Sequence, residues 1–572
     1  MKAVIEKILE EALGSEYISG TVEVQPRADF GHYTTPIAMR LAKEAEMPPR
    51  VVAENVKDRL EGAAPAGLFE KVEVAGSGFV NIWLSEDAIR KEFGQVAEDR
   101  DFGSVAALKG KKILIEYTDP NPFKQFHIGH LMTNVIGEAL ARIHEAAGAE
   151  VLRVNYQGDI GLHVASSIWG ILQMKDGIPG ENAPPAEKTK FLGQAYARGA
   201  RAYKDDPQAK TEIEAINKKI YERGDAEINK LYDQGREWSL EHFETMYARL
   251  GTKFVHYFFE SEAGPDGLKI VKEHPQVFTE SEGAIIFRGE DHGLHNRVFV
   301  SSQGLPTYEA KELGVNKKKF EMFHPDASII VTGNEINEYF RVLLKAMELV
   351  MPEVGTKTKH IGHGMLRLPS GKMSSRTGDV ITAEWLIDEI KKAVAEKIKE
   401  REGLGDADQE EIKEKVALAA IRYSILKQGI GKDIIFDITT SIAFHGDSGP
   451  YLQYTYARLH RLLAKAKDAG EPFAPEAADL GQLATADELA LMRKLFDFPD
   501  QVAQSAQDLS TNNLTEYLFD LANAANRFYE GEMILEDGNA GRRNARLLLA
   551  ETSARAVAKG LNLLGIEVLE VI

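Results

Sequence analysis

The chain has 572 residues, too many for one hydrophobic core, and its length sets an expectation of about three to five domains. It contains no cysteine, which excludes disulfides and thiolate metal sites, and no protein-bound structural metal is expected. The balance of 69 basic against 88 acidic residues, net −19, argues against indiscriminate nucleic-acid binding and leaves only selective RNA contacts made by local basic groups. No uninterrupted apolar run of about 18 residues occurs, and Met1–Lys7 lacks a signal-peptide core, so a cytoplasmic protein without a membrane partner is expected.

Val4, Ile5, Ile8, Leu9, Ala12 and Leu13 recur at helical spacing, and Thr21–Val24, Lys71–Val74 and Phe79–Trp83 read as strands. They form a small α+β unit, residues 1–105. After the basic junction Lys109–Lys112, Ile113, Leu114 and Ile115 make a β-favouring run. Pro120 and Pro122 break it, apolar residues recur helically from Leu131, and Glu150–Tyr156 reads as the next strand. This is a βαβ unit whose loop opens at the carboxyl edge of a parallel sheet, where ligands bind. His127 and His130 stand at the helix mouth with Gly129 between them and Lys124 upstream. Unpaired N–H groups and the dipole at a helix start favour phosphates, imidazoles can stabilise charge growing on phosphorus, and Gly129 admits a flat ring. Two histidines so spaced in isolation are more often caps or surface groups, and it is the strand-turn-helix context that favours the chemical role.

A charged, helical insertion occupies about 180–260, and the sheet is expected to resume with Ala284–Phe287, Val298–Val300 and the apolar Ser328–Val331. Tyr308 and Glu312 share one face if a helix begins there, and that face can hold a cation. Beyond Thr382 the patterns are helical almost to the end: Val416–Leu426, Leu452–Leu463, Glu488–Phe496, Thr515–Tyr529 and Arg543–Leu564. The expected fold is thus α/β, a doubly wound parallel sheet (106–381) preceded by an α+β domain and followed by a helical linker (382–447) and an all-α bundle (448–572). Between Pro450 and Ile572 there are 12 basic and 18 acidic residues, so even this end is acidic and its RNA affinity is expected to be modest.

His127-Ile-Gly-His130 resembles the first signature of class I aminoacyl-tRNA synthetases, and Gly371–Asp379 resembles their second, the loop that holds the triphosphate. Glu116–Asn121, Asn155–Gly161 and Gly446–Tyr454 are similar specifically to arginyl-tRNA synthetases, over nearly the whole chain. The resemblance implies ligation of L-arginine to tRNA(Arg) through an arginyl-adenylate, with ATP and its Mg2+ as cofactors, by a monomer. It implies catalytic roles for His127, His130, Lys124, Lys372 and Arg376, and ATP contacts from His127, Gly129, His130, Lys372, Met373, Ser374 and Ser375. It further implies arginine contacts from Glu116, Asn121, Tyr308, Glu312 and Glu335. Contacts to tRNA are implied for Phe30 and Asn81 near the N-terminus, and for Tyr451, Tyr454, Asn526 and Tyr529 in the bundle, where packing is the alternative role.

Three departures from the family pattern stand out. Glu312 replaces the usual aspartate, Ser375 stands where many class I enzymes have lysine, with Lys124 or Arg376 left to supply the charge, and the chain ends in Val568–Ile572 rather than the usual terminus. A synthetase for another amino acid such as lysine, an inactive RNA-binding paralogue and a nucleotidylyltransferase are the competing readings. The retained signatures count against the paralogue, and the bundle counts against the nucleotidylyltransferase.

Overall fold

A computed structural model describes residues 1–14, 20–25, 28–369, 381–398, 406–468 and 473–571. The N-terminal unit comprises α1 (Lys2–Leu13), β1 (Glu23–Val24), β2 (Tyr33–Thr35), α2 (Ile37–Ala45), α3 (Pro49–Ala63), β3 (Phe69–Ala75), β4 (Phe79–Leu84) and α4 (Glu86–Glu98). Its strands form an antiparallel sheet in the order β1-β2-β4-β3. The helical spacing of α1 buries Ile5, Ile8 and Leu9, and Ser85 starts α4 by accepting a hydrogen bond from the Ala88 N–H.

The central unit begins with β5 (Lys112–Glu116), α5 (Ile128–Ala146), β6 (Glu150–Gln157) and α6 (Leu162–Leu172). The insertion follows as α7 (Pro185–Asp205), α8 (Pro207–Glu222) and α9 (Ala226–Arg249). Next come β7 (His256–Phe259), α10 (Glu260–Glu273), β8 (Phe278–Ser281), β9 (Ala284–Phe287), β10 (Arg297–Val300) and α11 (Tyr308–Phe323). The unit closes with β11 (Ala327–Gly333), α12 (Asn337–Val350), α13 (Pro352–Lys357) and β12 (Thr358–His363). Five parallel strands run in the order β12-β11-β5-β6-β7. From β5 the chain winds outward to β6 and β7, then returns to the other side for β11 and β12, so the switch point lies between β5 and β11.

Two sequence expectations change here. Ala284–Phe287 and Val298–Val300 do not continue the parallel sheet but form a separate antiparallel sheet, β10-β9-β8. Glu282 and Gly283 join β8 to β9 with φ of 49° and 78°, a two-residue turn that pairs strands antiparallel, whereas parallel pairing needs a crossover of a dozen residues or more. The insertion closes at α9, because β7 lies within the span assigned to it yet pairs with β6.

A short parallel pair, β13 (Leu366–Arg367) with β14 (Ile434–Ile435), brackets α14 (Ala383–Ile398) and α15 (Asp406–Leu426). The bundle then contains α16 (Ile438–Ser441), α17 (Gly449–Asp468), α18 (Ala486–Phe496), α19 (Phe498–Asp508), α20 (Asn512–Gly531) and α21 (Ala540–Leu563). Helices α15, α19 and α21 all pack on α5, and one apolar core runs from the N-terminal sheet through α5 into the bundle. No helix among the described residues is long and apolar enough to cross a membrane.

Inside the bundle the buried guanidinium of Arg546 is shared by Glu488 at 2.7 Å, Glu532 at 2.5 Å and Asp537 at 3.2 Å. Glu488 also accepts from the Ala484 and Thr485 N–H groups, closing the capping box of α18. Arg546→Met should therefore destabilise the bundle by about 3–5 kcal/mol, because it strands buried carboxylates. A lowered denaturant midpoint, followed by far-UV circular dichroism, is the expected observation.

Candidate active site

At the carboxyl edge of the sheet the chain turns sharply after β5. Thr118, Asp119 and Phe123 adopt φ of 80°, 45° and 67°, three non-glycine residues in the left-handed region within six positions. Such backbone is maintained only where the surroundings over-determine it, and it clusters at functional sites. Here the Tyr156 N–H donates to Asp119 Oδ1 at 2.8 Å and Ser239 Oγ accepts from the Phe123 N–H at 2.9 Å, holding the turn from two sides.

Helix α5 starts earlier than the apolar pattern indicates, at Ile128, with His127 as its N-cap. His127 Nδ1 accepts from the Gly129 and His130 N–H groups at 3.1 and 3.4 Å, while His130 Nδ1 accepts from the His127 N–H at 3.3 Å. The imidazoles stack, centroids 3.6 Å apart. A Cβ on residue 129 would lie 2.9 Å from the His127 ring, so glycine is required by the histidine of the signature itself. The expectation of unpaired helix N–H groups is corrected by this geometry: Gly129 and His130 are capped, and the Ile128 N–H donates to the Ile381 carbonyl at 3.1 Å. The positive end of α5 instead reaches the site through the imidazoles. With Nδ1 accepting, each neutral ring carries its proton on Nε2 as a donor. Burial, reinforced by Lys124, pushes His127 down to about 4, and burial with His127 and Lys124 pushes His130 far down, so both are neutral donors at pH 7.

A cavity of about 450 Å³ opens beside these histidines, walled by Asn121, Tyr156, Glu260, Glu312 and Tyr339 among others. Its charge is carboxylate-rich. Glu116, Asp119, Glu260, Glu312 and Glu335 line it, and among the described residues two ammonium groups pair directly with them. Lys319 Nζ lies 2.7 Å from Glu116 Oε2, both fully buried, without hydrogen-bond geometry, and Lys311 Nζ lies 2.6 Å from Glu260 Oε2. Burial and the Glu116 charge push Glu312 up to about 8 and Asp119 well above the carboxylate range. Burial raises Glu260 too, against the pull of Lys311. The buried Tyr156 hydroxyl has no hydrogen-bond partner among the described residues. Uncompensated buried acids and an orphaned hydroxyl make this a pocket for a cation rich in donors.

Of the expected amino-acid contacts, Glu116, Asn121, Tyr308, Glu312 and Glu335 all line this cavity. Tyr308 opens α11 and Glu312 follows one turn later, as their spacing required. Tyr308 is 55% exposed at the rim, whereas Glu116 is committed to Lys319. Sequence reasoning missed Glu260, Asp119 and Tyr339. Glu260 directly follows β7, and an acid at the carboxyl end of a parallel strand was the available signal, hidden because β7 was read as insertion. Lys124 does not line the cavity; its ammonium lies 4.9 Å above the Tyr196 ring of α7, with its pKa lowered by burial. Lys372, Met373, Ser374, Ser375 and Arg376 lie outside the described residues. The residues just beyond them are pinned to the first signature, since the Ala383 N–H donates to Phe126 O and Thr382 bridges His127.

Away from the cavity, Tyr454, Asn526 and Tyr529 converge on Arg458, whose guanidinium lies 4.2 Å over the Tyr529 ring and 3.0 Å from Asn526 Oδ1, and Tyr451 joins the group through Asn526. Asn526 also donates to Tyr451 Oη and Thr455 Oγ1. Phe30 is exposed, while Asn81 is buried in β4 and accepts from Thr34 Oγ1 at 2.7 Å, so its side chain is engaged within the sheet.

The family model described as tRNA synthetases class I (R), catalytic domain, matches residues 95–438, or more than half of the chain. The chain belongs to the arginyl-tRNA synthetase family. Models of the arginyl tRNA synthetase N-terminal domain and the DALR anticodon binding domain match residues 1–84 and 452–572. The chain is 30% identical to the arginine–tRNA ligase of Clostridium acetobutylicum, covering 99% of this chain and 98% of that one. It is 28% identical to the Bacteroides thetaiotaomicron arginine–tRNA ligase over 98% and 97%. Thermus thermophilus arginyl-tRNA synthetase superposes over 100% of both chains with a TM-score of 0.82 at 26% identity. The Plasmodium falciparum arginyl-tRNA synthetase shares the fold, at a TM-score of 0.80 and 20% identity over 100% and 99%.

The raised Glu312 gives this pocket a pH signature. Below about pH 8 the free carboxyl is protonated, and a bound cation requires it ionised, so binding at pH 7 must release a proton. Affinity for arginine should then rise with pH, by up to about tenfold per unit, and level off above about 8. Calorimetry at pH 7 in buffers of different ionisation enthalpy should register the proton release, and Glu312→Gln should abolish it while weakening arginine more than ATP.

Proposed function

We propose that this chain ligates L-arginine to tRNA(Arg) with ATP through an arginyl-adenylate. The observation that carries the reading is the carboxylate-lined cavity directly beside the paired histidines of α5. A guanidinium presents five donors in a plane, which suits several converging carboxylates and a tyrosine hydroxyl better than the three donors of an ammonium. Among the acids, Glu312 and Glu260 are assigned to the guanidinium end, with Tyr308 and Asn121 orienting the substrate. Glu116 acts through its pair with Lys319, and Glu335 stands at the rim.

In this mechanism the arginine carboxylate attacks the α-phosphorus of ATP, the bond to the β-phosphate breaks and pyrophosphate departs. Neutral His127 and His130 donate from Nε2 to phosphate oxygens as charge grows there, and both remain neutral donors at pH 7. Lys372 and the serines of the second signature would hold the triphosphate, and Mg2+ bound with ATP would supply further neutralisation of its charge. The terminal ribose hydroxyl of tRNA then attacks the activated carbonyl and AMP leaves. Residues 106–381 carry this chemistry, and 382–447 connect it to the anticodon-reading bundle, 448–572. The N-terminal residues 1–105 contact tRNA elsewhere, with Phe30 on the exposed surface. Tyr451, Tyr454, Asn526 and Tyr529 present stacking and hydrogen-bonding groups around Arg458. The enzyme acts as a cytoplasmic monomer.

Aminoacylation of total tRNA with each amino acid tests the reading. Arginine should exceed lysine in kcat/KM by about 10⁴, because lysine leaves buried acceptors unpaired. Equal values would refute the pocket assignment. Lys124, close enough to depress both histidines, takes the part of the lysine absent at Ser375. Lys124→Ala should lower kcat by about 10²-fold or more with a smaller change in KM for ATP, as for a contact that strengthens in the transition state. Full activity in steady-state assays of that variant would transfer the role to Arg376 or to Mg2+.

A further inference from the structure

Between the N-terminal sheet and the C-terminal bundle lies a second cleft, of about 220 Å³, formed by the ends of β1 and β2 and by α18 and α20. It is walled by donors. His32 uses Nδ1 to accept from the Leu84 N–H at 3.0 Å, leaving Nε2–H as a donor. Arg493 and Lys494 of α18 face Gln25 and His32, and Arg527 of α20 closes the side. The single acid in the lining, Asp497, is already engaged, since Tyr33 Oη donates to its Oδ1 at 2.7 Å in a buried bond linking the two domains.

Arg493 sets the character of the cleft. Among the described residues its guanidinium has no hydrogen-bond acceptor or ion-pair partner, and Asp497 and Tyr33 act on it only at longer range. Burial is the largest influence on it and works against its charge. A half-buried guanidinium without an acceptor is an unpaid desolvation cost that an anion would relieve. The neighbouring cations hold only exposed partners, Lys494 with Asp520 at 2.8 Å and Arg527 with Asp487 at 3.4 Å, pairs weak enough to exchange for a phosphate.

We propose that this cleft is a phosphodiester-binding site that grips the backbone of the bound tRNA between the N-terminal domain and the bundle. The inference rests on the tRNA reading above and names the residues that take the phosphate: Arg493, with Lys494, Arg527 and His32 Nε2–H. The space accommodates one phosphate with part of a sugar. Arg527 and Asn526 are consecutive on α20, about 100° apart around the helix. One helix therefore offers a phosphate donor to the cleft and, on the adjacent face, the aromatic cluster around Arg458. For a chain of net charge −19, cations gathered at such points are how affinity for a polyanion is obtained.

Filter binding of tRNA to the full chain tests this. Arg493→Met should weaken binding by about tenfold at about 0.1 M salt and reduce the slope of log K against log salt by about one. The KM values for arginine and ATP should not move, the thermal unfolding temperature should hold or rise because an uncompensated charge is removed, and Arg493→Lys should retain most of the affinity. Gln25→Glu, which introduces a carboxylate from the opposite wall, should weaken binding independently of any effect on the bundle. Wild-type affinity and salt slope in Arg493→Met and Gln25→Glu would overturn the proposal. So would protection of the wild-type chain from thermal unfolding by millimolar inorganic phosphate, lost in an Arg493→Met protein that still binds tRNA normally, since the cleft would then serve a free anion. Failure of the wild-type chain to charge any tRNA would strike the functional reading instead, a result distinguishable from all of these.

Discussion

The constraint around which the catalytic domain is arranged is a surplus of buried carboxylates at the carboxyl edge of its sheet. Glu116 ends β5, Asp119 sits in the strained turn after it, Glu260 follows β7 and Glu312 stands one turn into α11. Removing so many acids from water is costly unless they are paired, and two buried lysines answer only part of the charge. The rest is carried as raised carboxyl pKa values, a free energy that a cationic substrate can recover on binding. Close packing keeps the set together. Gly158 permits Asn121 and Glu260 to approach a backbone that any Cβ would block.

On the proposed function the same edge must also meet the opposite problem, taking an anionic nucleotide beside an acidic pocket. Helix α5 resolves it by presenting its positive end through two mutually capped imidazoles rather than through bare N–H groups. Burial keeps both rings neutral, so each presents an Nε2–H donor to the cavity without forming a salt bridge with the nearby acids. Farther along α5, Glu138 accepts from Tyr117 Oη at 2.6 Å and pairs with Arg142 and Arg153 at 2.7 and 3.0 Å. Arg142 donates onward to Asn562 O, near the end of α21. Buried Arg422 of α15 donates to the carbonyls of Leu250 and Gly565, which follow α9 and α21, so one side chain caps two helix C-termini from different domains. The signature helix is thus packed and hydrogen-bonded to the bundle, and a continuous set of contacts runs from Asn562 through Arg142 and Glu138 to Tyr117, next to Glu116.

Recognition of RNA by an acidic chain depends on where its cations stand. Several are committed to structure: in the bundle Arg546 to three carboxylates and Arg458 to tyrosine rings, Asn526 and Glu530, and on the preceding α15 Arg422 to helix carbonyls. Arg493 differs in being half-buried and without an acceptor among the described residues, and it lies where two domains meet. The Tyr33–Asp497 bond beneath it ties the walls together, so the cleft exists only in the assembled chain.

The sequence by itself determined the βαβ unit around the first signature, the helices of the bundle, the common face of Tyr308 and Glu312, and the family. Each of these rests on local periodicity, on turn residues or on short contiguous motifs, which survive in a linear reading. Tertiary structure decided the rest. Strands β7, β9 and β10 are four residues each, too short to announce whether they join a parallel sheet or a hairpin, and only the Glu282-Gly283 turn and the pairing of β7 with β6 resolve it. Because β7 was unread, Glu260 stayed invisible although it stands against the same cavity as Glu312. The burial of Asn81, for which the resemblance implies a tRNA contact, follows from the register of β4 against β2, which sets it opposite Thr34. The capped state of α5, the Lys319 and Lys311 partners and the Arg493 cleft bring together side chains remote in sequence, and their protonation and availability are fixed by burial, a quantity that exists only once the chain has folded.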